Sequence, residues 1–267
     1  MKPTIVIITD DHRMPFQQAI ITGISAVLGS EFDLLIESIH QKPQPRSSIK
    51  SDLSSVAGIF IIANILTKTE LETIATQHKP TTLISHYEPE LPIPAILENN
   101  IDGMMTLVDY LVENCKRRQI VAIHGALSQF NGMQRAEGLQ RALKKHALTI
   151  PDAYQIEGHF NPVTAANEII DFMDTGQAFD AILAADYLMG CAVLDVLRLF
   201  EVAIPEDVAI VAFGDGHEAG DMGLTVAGID GETMGRYAAQ HLHQQIQGLS
   251  VAKITRLDTQ LIVRESS

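Results

Sequence analysis

Few residues of this 267-residue chain stand in arrangements that do chemistry. Ten histidines are scattered along it. His241 and His243 are two apart on a helical stretch, so they face different sides and cannot share a metal ion. Solvent-facing or core imidazoles are the simpler reading. His12 and His86 differ, because each directly follows a run that reads as a strand. Ligands of open α/β sheets sit beyond the carboxyl ends of strands, so these two are candidates to line a binding site, the alternative being exposed loop histidines. Asp10 and Asp11 share the first of these loops, either as ligand groups or as helix caps ahead of Pro15.

Catalytic motifs are missing. The chain has no Gly-x-x-x-x-Gly-Lys-Ser/Thr loop, no Gly-x-Ser-x-Gly elbow and no His-Glu-x-x-His helix. The stretch from Gly214 through Gly216 to Gly220 follows a strand, as a nucleotide loop would. However, Gly220, Gly223 and Thr225-Val226 come next and would not sustain the helix whose N-terminus a pyrophosphate needs. No serine or cysteine sits in an activating context. Cys115 and Cys191 leave no cysteine-based metal cluster and suit a reducing compartment. The expectation is a protein that is not an enzyme and uses no cofactor and no metal.

The elements that must position any site alternate almost throughout. Continuous apolar runs at 4–9, 33–39, 58–63, 81–85, 119–124, 180–185 and 207–213 read as parallel strands covered on both faces. Between them lie helical stripes at i, i+3, i+4 spacing, such as Phe16, Ile20, Gly23, Ile24, Val27 and Leu28, or Leu188, Cys191, Leu194 and Leu197. The alternation occurs twice, over 1–98 and 119–215, followed by a glycine-rich stretch, a helix, and an alternating run at 256–263 read as a final strand. The fold class is therefore α/β: two Rossmann-like lobes with parallel sheets, joined by a hinge that the chain crosses more than once. The boundaries expected are 1–98 plus 230–250 for the first lobe and 99–229 plus 251–267 for the second, with a ligand site in the cleft between them.

Composition narrows the partners. Hydrophobic content of 46% with 19% charged residues is globular. Nineteen Lys and Arg against 33 Asp and Glu give a net charge of -14, which repels phosphate backbones, so no nucleic acid is expected to bind this chain alone. The opening apolar run is only four residues long before Asp10-Asp11, too short for a signal-peptide core or a membrane span. A cytoplasmic protein without membrane contact is expected.

The middle and C-terminal residues carry a recognisable series. Arg135-Ala-Glu-Gly138 opens a helix after the strand ending His124-Gly125. Gly158-His159-Phe160 follows, then Phe179-Asp180 leading to Asp186 and Gly190. Next come Pro205-Glu206-Asp207-Val208 running to Phe213, then Leu224-Thr225 and the ending Arg264-Glu-Ser-Ser. In order and spacing this resembles the effector-binding core of LacI-type repressors, which has the type I periplasmic-binding-protein fold. Asn99-Asn100-Ile-Asp102-Gly103 is similar to that family's first lobe crossing. The resemblance implies that Arg135 grips a small-molecule effector from the second lobe, where a helix-start salt bridge is the alternative. It also implies that Phe160 and Phe16 are aromatic ligand contacts, where core packing is the alternative for each. Asp186 and Asp215 match the second member of two acidic pairs.

The departures fall on contact residues. Ala185 replaces the family's usual asparagine and Gly214 its usual aspartate, and the chain has no tryptophan, which puts a common hexose in doubt. If Asp186 and Asp215 turn away from Arg135, a carboxylate or phosphate-bearing effector is favoured. Repressors of this family carry a DNA-binding headpiece and hinge ahead of the core, and with Met1 standing at the first strand none is expected in this chain. The turn Glu113–Gln119 looks one residue longer than in typical repressors, which resembles sensor domains ahead of diguanylate cyclase (GGDEF) modules. The resemblance further implies a homodimer, with the helix around Leu188–Phe200 and an exposed edge near Ala57–Ile62 as candidate surfaces. The function expected is a sensor of a sugar-like or anionic metabolite, closing on its ligand and passing closure to an output module; the alternative is a stand-alone solute-binding protein of a transporter.

Overall fold

A computed structural model of the chain describes residues 2–39 and 49–267; residue 1 and residues 40–48, which fall inside the expected first lobe, lie outside the described residues. The first elements are β1 (Thr4–Thr9), α1 (Pro15–Leu28), β2 (Asp33–Ser38), β3 (Gly58–Ile62), α2 (Lys68–Ala75), β4 (Thr81–Ile84) and β5 (Ala95–Glu98). Then come α3 (Asn100–Asp109), extended by a π-helical turn at Tyr110–Asn114, β6 (Ile120–His124), α4 (Phe130–Lys145), β7 (Gln155–Glu157), α5 (Pro162–Asp174), β8 (Ala181–Ala184), α6 (Tyr187–Leu199), β9 (Ala209–Asp215), α7 (His217–Asp221) and β10 (Thr225–Asp230). The chain closes with α8 (Gly231–Ile246), β11 (Ile254–Leu257) and β12 (Gln260–Ile262).

These elements form two compact units, Met1–Glu98 with Asp230–Leu257, and Asn99–Ile229 with Asp258–Ser267. The first holds a six-stranded sheet in the order β11-β5-β4-β3-β1-β2, with every neighbouring pair parallel. Unbroken aliphatic runs explain the middle positions: every residue of β3, β4 and β5 is buried, as is β1 beyond Thr4. Helix α1 starts where Pro15 pre-sets a helical φ at the first turn. It packs on α8, which Asp230 caps by accepting from the Thr233 N–H. The approach is close enough to require glycine: a Cβ at Gly23 would stand 2.0 Å from the Glu232 carbonyl oxygen, and one at Gly235 2.1 Å from that of Ile20.

The second unit repeats the plan in the order β12-β10-β9-β8-β6-β7, with β7, β6, β8 and β9 parallel and β12 antiparallel to β10. In each sheet the first strand of the unit lies between the second and third, so the strand order reverses beside β1 and again beside β6. Ligands of open α/β sheets bind outside the carboxyl ends of strands at such reversals.

Three expectations change. The run 256–263 is two strands, β11 in the first sheet and β12 in the second, so residues 251–257 go with the first unit rather than the second. Both are edge strands, and the alternating pattern of an edge strand continues through the break at Asp258-Thr259. The stretch Ala57–Ile62 is no exposed edge: β3 is an interior, fully buried strand, because five residues without a polar side chain fit only between two others. The edge opposite β11 is β2, where Leu35 and Ile36 reach solvent. The glycine-rich stretch contains α7, a single turn of five residues, and β10, and it opens α8.

Candidate functional site

In the second unit, Arg135 comes to the carboxyl end of β8. It lies in α4, and only 6% of its surface is exposed. Its Nε donates to Asn100 Oδ1 and its Nη1 to the Ala185 carbonyl oxygen, both at 2.8 Å. The guanidinium carbon stands 4.0 Å from the centroid of the Phe213 ring and 5.4 Å from that of Phe160. A planar cation suits this setting, since its fork meets acceptors in its plane while its faces lie on aromatic rings. Ala185 offers no side-chain amide, yet its backbone carbonyl orients the arginine.

Phe160 is held by an unusual backbone. His159 and Phe160 both adopt left-handed φ angles, +53° and +58°, in the turn between β7 and α5. Two adjacent non-glycine residues there cost about 1–2 kcal/mol each, a strain that concentrates at functional sites. Gly125 makes room for the ring, because a Cβ there would come within 2.2 Å of it.

Asp186 and Asp215 each have an architectural task. Asp186 caps α6, accepting from the backbone N–H groups of Leu188 and Met189 at 2.9 and 3.2 Å. Asp215 receives Arg264 Nη2 on both oxygens, at 2.9 and 3.2 Å, while Arg264 Nη1 donates to the Leu224 carbonyl. Between these two acids lies Tyr187, which the sequence does not single out. Only 3% exposed, it sets its ring along Gly214 and Gly216. Gly214 has a φ of +88°, and a Cβ there would stand 3.2 Å from Tyr187 Cδ1; one on Gly216 would stand 2.7 Å from the phenol oxygen. Burial pushes the Tyr187 hydroxyl well above the usual tyrosine range, and the carboxylates of Glu218, Asp186 and Asp215 push the same way.

The first unit brings its candidates to the carboxyl ends of β1 and β4. His12 is exposed, its Nδ1 2.7 Å from Ser38 Oγ. Phe16 is half-buried in the first turn of α1. Asp10 and Asp11 do not cap that helix, whose N-cap is Met14 without a side-chain bond; Asp10 accepts from Gln17 and Asp11 pairs with Arg13. His86 is 6% exposed, and its sealed Nδ1 has no hydrogen-bond partner among the described residues. Desolvation lowers its pKa to about 4, so the ring is neutral at neutral pH. Beside it, Ser85 has a φ of +58° and its Oγ donates to the buried Glu98 carboxylate at 2.7 Å. Gln245 accepts from the Thr81 N–H and donates to Thr82 Oγ1, with His241 also in reach, which gives His241 an internal role.

Asp109, Glu113 and His146 bring metal-ligand chemistry together, yet they already form an ion-pair network. Lys145 Nζ lies 2.7 Å from Asp109, and His146 Nε2 2.6 Å from the other Asp109 oxygen.

Residues 108–267, well over half of the chain, match the periplasmic binding protein-like domain. The chain belongs to that family. It is 31% identical over 181 residues to the HTH-type transcriptional regulator CelR of Thermobifida fusca, a match covering 67% of this chain and 53% of that one. The chain thus spans about half the length of this relative. Among solved structures it is similar to a transcriptional regulator CelR-cellobiose complex, with a TM-score of 0.83, 23% identity, and coverage of 99% of this chain and 84% of that one. It is also similar to the lac repressor dimer bound to operator and an anti-inducer, with a TM-score of 0.83, 18% identity, and coverage of 100% and 94%. At such identities the structures speak for the fold. The chain has the type I periplasmic-binding-protein fold of the LacI-type effector-binding core, as Arg135-x-x-Gly138 and Pro205–Val208 imply. These relatives are transcription regulators rather than enzymes, and they lend nothing to the cyclase-linked alternative. Among the described residues no helix is long and apolar enough to cross a membrane.

Sequence reasoning missed Asn100, Phe213 and Tyr187 as parts of this constellation. Asn100 was visible only within the Asn99–Gly103 crossing, and Phe213 only as the end of a strand. For Tyr187 the signal was the pair Gly214 and Gly216, two small residues that leave room for one large one.

Proposed function

We propose that this chain is the effector-sensing part of a LacI-type transcription regulator, binding a small sugar-like or anionic molecule and passing the event to an output module. One observation carries the reading. Arg135 is drawn out of solvent at the carboxyl end of β8, beside the reversal of strand order, and is oriented there by Asn100, the Ala185 carbonyl and two aromatic faces. Such an arrangement fixes a guanidinium where a ligand with several acceptors would be met. In this proposal Phe160 and Arg135 form the ligand floor in the second unit, with Asp186 and Asp215 holding the loops around them. His86, Phe16 and His12 are the candidate ligand contacts of the first unit. Ligand binding selects one of the chain's states, and the output reads that selection.

The sensor works as a cytoplasmic homodimer, catalyses nothing, and leaves duplex DNA to other parts of the regulator. Two apolar surfaces suit the pairing: Leu35 and Ile36 on the β2 edge, and Leu199 with Phe200 at the end of α6, all of them exposed. Light scattering at twice the chain mass supports the dimer, and monomer mass at high micromolar concentration refutes it. The ligand test is a thermal-shift panel of cellobiose, D-ribose, glucose 6-phosphate, ribose 5-phosphate, hypoxanthine and citrate on the wild-type chain and on Arg135→Lys. A compound that stabilises the wild type and loses its effect in the variant supports the proposal; equal stabilisation of both makes Arg135 purely structural.

A further inference from the structure

Tyr187 has more than a packing role to explain. A buried tyrosine nearly always gives its hydroxyl a partner. This one is 97% removed from solvent by residue, yet its hydroxyl makes no hydrogen bond among the described residues. Nor is its oxygen one of the sealed, unpartnered side-chain atoms, which belong to Gln77, His86 and Arg117. The phenol is thus enclosed along its ring and still reachable at its tip.

Its position matters as much as its lack of a partner. Tyr187 opens α6 two residues after Ala185, whose carbonyl orients Arg135, and its ring runs along Gly214 and Gly216 at the end of β9. Ala185 and Gly214 present no polar side chain at these strand ends, and the neighbouring Asp186 and Asp215 carboxylates are engaged with the α6 N-terminus and with Arg264. The phenol tip, beside Gly216, is a polar group left to meet a ligand there. It can donate one hydrogen bond and accept others. Its immediate surroundings are acidic: although Asp186 and Asp215 turn from Arg135 to the α6 N-terminus and to Arg264, their carboxylates and that of Glu218 all bear on the phenol, so it stays protonated and an anionic ligand group beside it would add to three carboxylates.

We propose that Tyr187 is a specificity-determining ligand contact, its hydroxyl exchanging a hydrogen bond with a hydroxyl group of a neutral effector and disfavouring a phosphate or carboxylate at that spot. The inference deepens the sensor reading of the same strand ends and rests on it.

Tyr187→Phe keeps the ring that fills the space over Gly214 and Gly216 and removes only the oxygen. The test measures, on wild type and variant, the melting temperature without ligand and the Kd of each stabilising compound in the six-member panel. The expected result is that cellobiose or D-ribose binds the wild type more tightly than either sugar phosphate or citrate. The variant should then weaken that sugar by about tenfold or more, as loss of one hydrogen bond in a dry site would. Its ligand-free melting temperature should stay within about 2 °C of the wild type, since no protein bond is lost. An unchanged Kd overturns the assignment and leaves the sensor reading standing. A clear fall in the ligand-free melting temperature, or failure to fold, shows that the hydroxyl serves the fold and overturns it as well. Preference for a sugar phosphate or citrate overturns the neutral-ligand claim. A panel in which nothing stabilises the wild type overturns the sensor reading and this assignment with it.

Discussion

Replacing His86 by glutamine should make the first unit less sensitive to acid, by an amount the structure sets. In the folded chain the imidazole is 6% exposed, and burial lowers its pKa from 6.5 to about 4. In the unfolded chain it titrates near 6.5. Between those two values the unfolded state takes up a proton that the folded state refuses, so stability falls as the pH drops from about 6.5 toward 4. At about 1.4 kcal/mol per pKa unit, the loss attributable to this one side chain is roughly 3 kcal/mol. Below about pH 4 both states hold the proton and the contribution stops changing. Urea denaturation of wild type and His86→Gln at several pH values isolates the effect, because carboxylates titrate alike in both proteins and cancel in the difference. The gap between the two should be constant above pH 7 and should shift by roughly 3 kcal/mol in the variant's favour by pH 4. Histidine ring NMR gives a second reading, with the His86 signal staying neutral through pH 5. A difference that does not move with pH, or a ring titrating near 6.5, would refute the reasoning from burial.

Further substitutions test the framework around it. Arg135→Ala leaves Asn100 Oδ1 and the Ala185 carbonyl without their donor and removes a cation from two rings, so it should cost about 3 kcal/mol in a denaturant titration; a cost below about 1 kcal/mol would mean the guanidinium is readily replaced by water. Gly235→Ala should reverse the usual sign of a helical glycine-to-alanine change: the Cβ would stand 2.1 Å from the Ile20 carbonyl oxygen, so a loss of about 2 kcal/mol or more replaces the ordinary gain of about 1 kcal/mol. Asp186→Ala removes the α6 cap and should lower stability by about 1 kcal/mol, read as a drop in melting temperature. With a net charge of -14 the chain should not bind duplex DNA at physiological salt, and salt-sensitive micromolar binding by fluorescence anisotropy would contradict this.

What could be read in advance followed from burial. Strands β1, β3, β4, β6, β8 and β9 are legible as unbroken apolar runs because each lies inside its sheet, whereas the run 33–39, read as covered on both faces, is the edge strand β2 with none of its residues buried. Strand β7 is three residues long, β5 follows a proline-rich loop, and β10 hides among glycines, so none carries a pattern strong enough to see. Helix α2 escapes because only Leu71 and Ile74 of its eight residues are buried. At the site, Arg135 and Phe160 were reached through the family resemblance, while the burial of His86 and the fit of Tyr187 over Gly214 and Gly216 depend on contacts between residues distant in sequence. Asp186 and Asp215 show the reverse difficulty: a carboxylate beside a strand end looks the same in sequence whether it caps a helix, pairs with Arg264 or meets a ligand.

The interleaving of the two units bears on how a ribosome delivers this protein. The first unit's sheet is complete only once β11 has been made, and α1 finds its glycine-matched partner only when α8 emerges, both after the whole body of the second unit has been synthesised. Until then the amino-terminal strands wait with a bare edge at β5 and an unpaired α1 face, the kind of surface that invites chaperones or aggregation. The second unit in turn receives its last strand, β12, from the final ten residues, where Ser266 and Ser267 bond to Ile210, Gly223, Thr225 and Tyr110. Neither half can therefore finish before the other is nearly done. A nascent chain stalled once residue 229 has cleared the ribosomal exit tunnel should show protease protection over β6 to β9 before it shows any over β1 to β5.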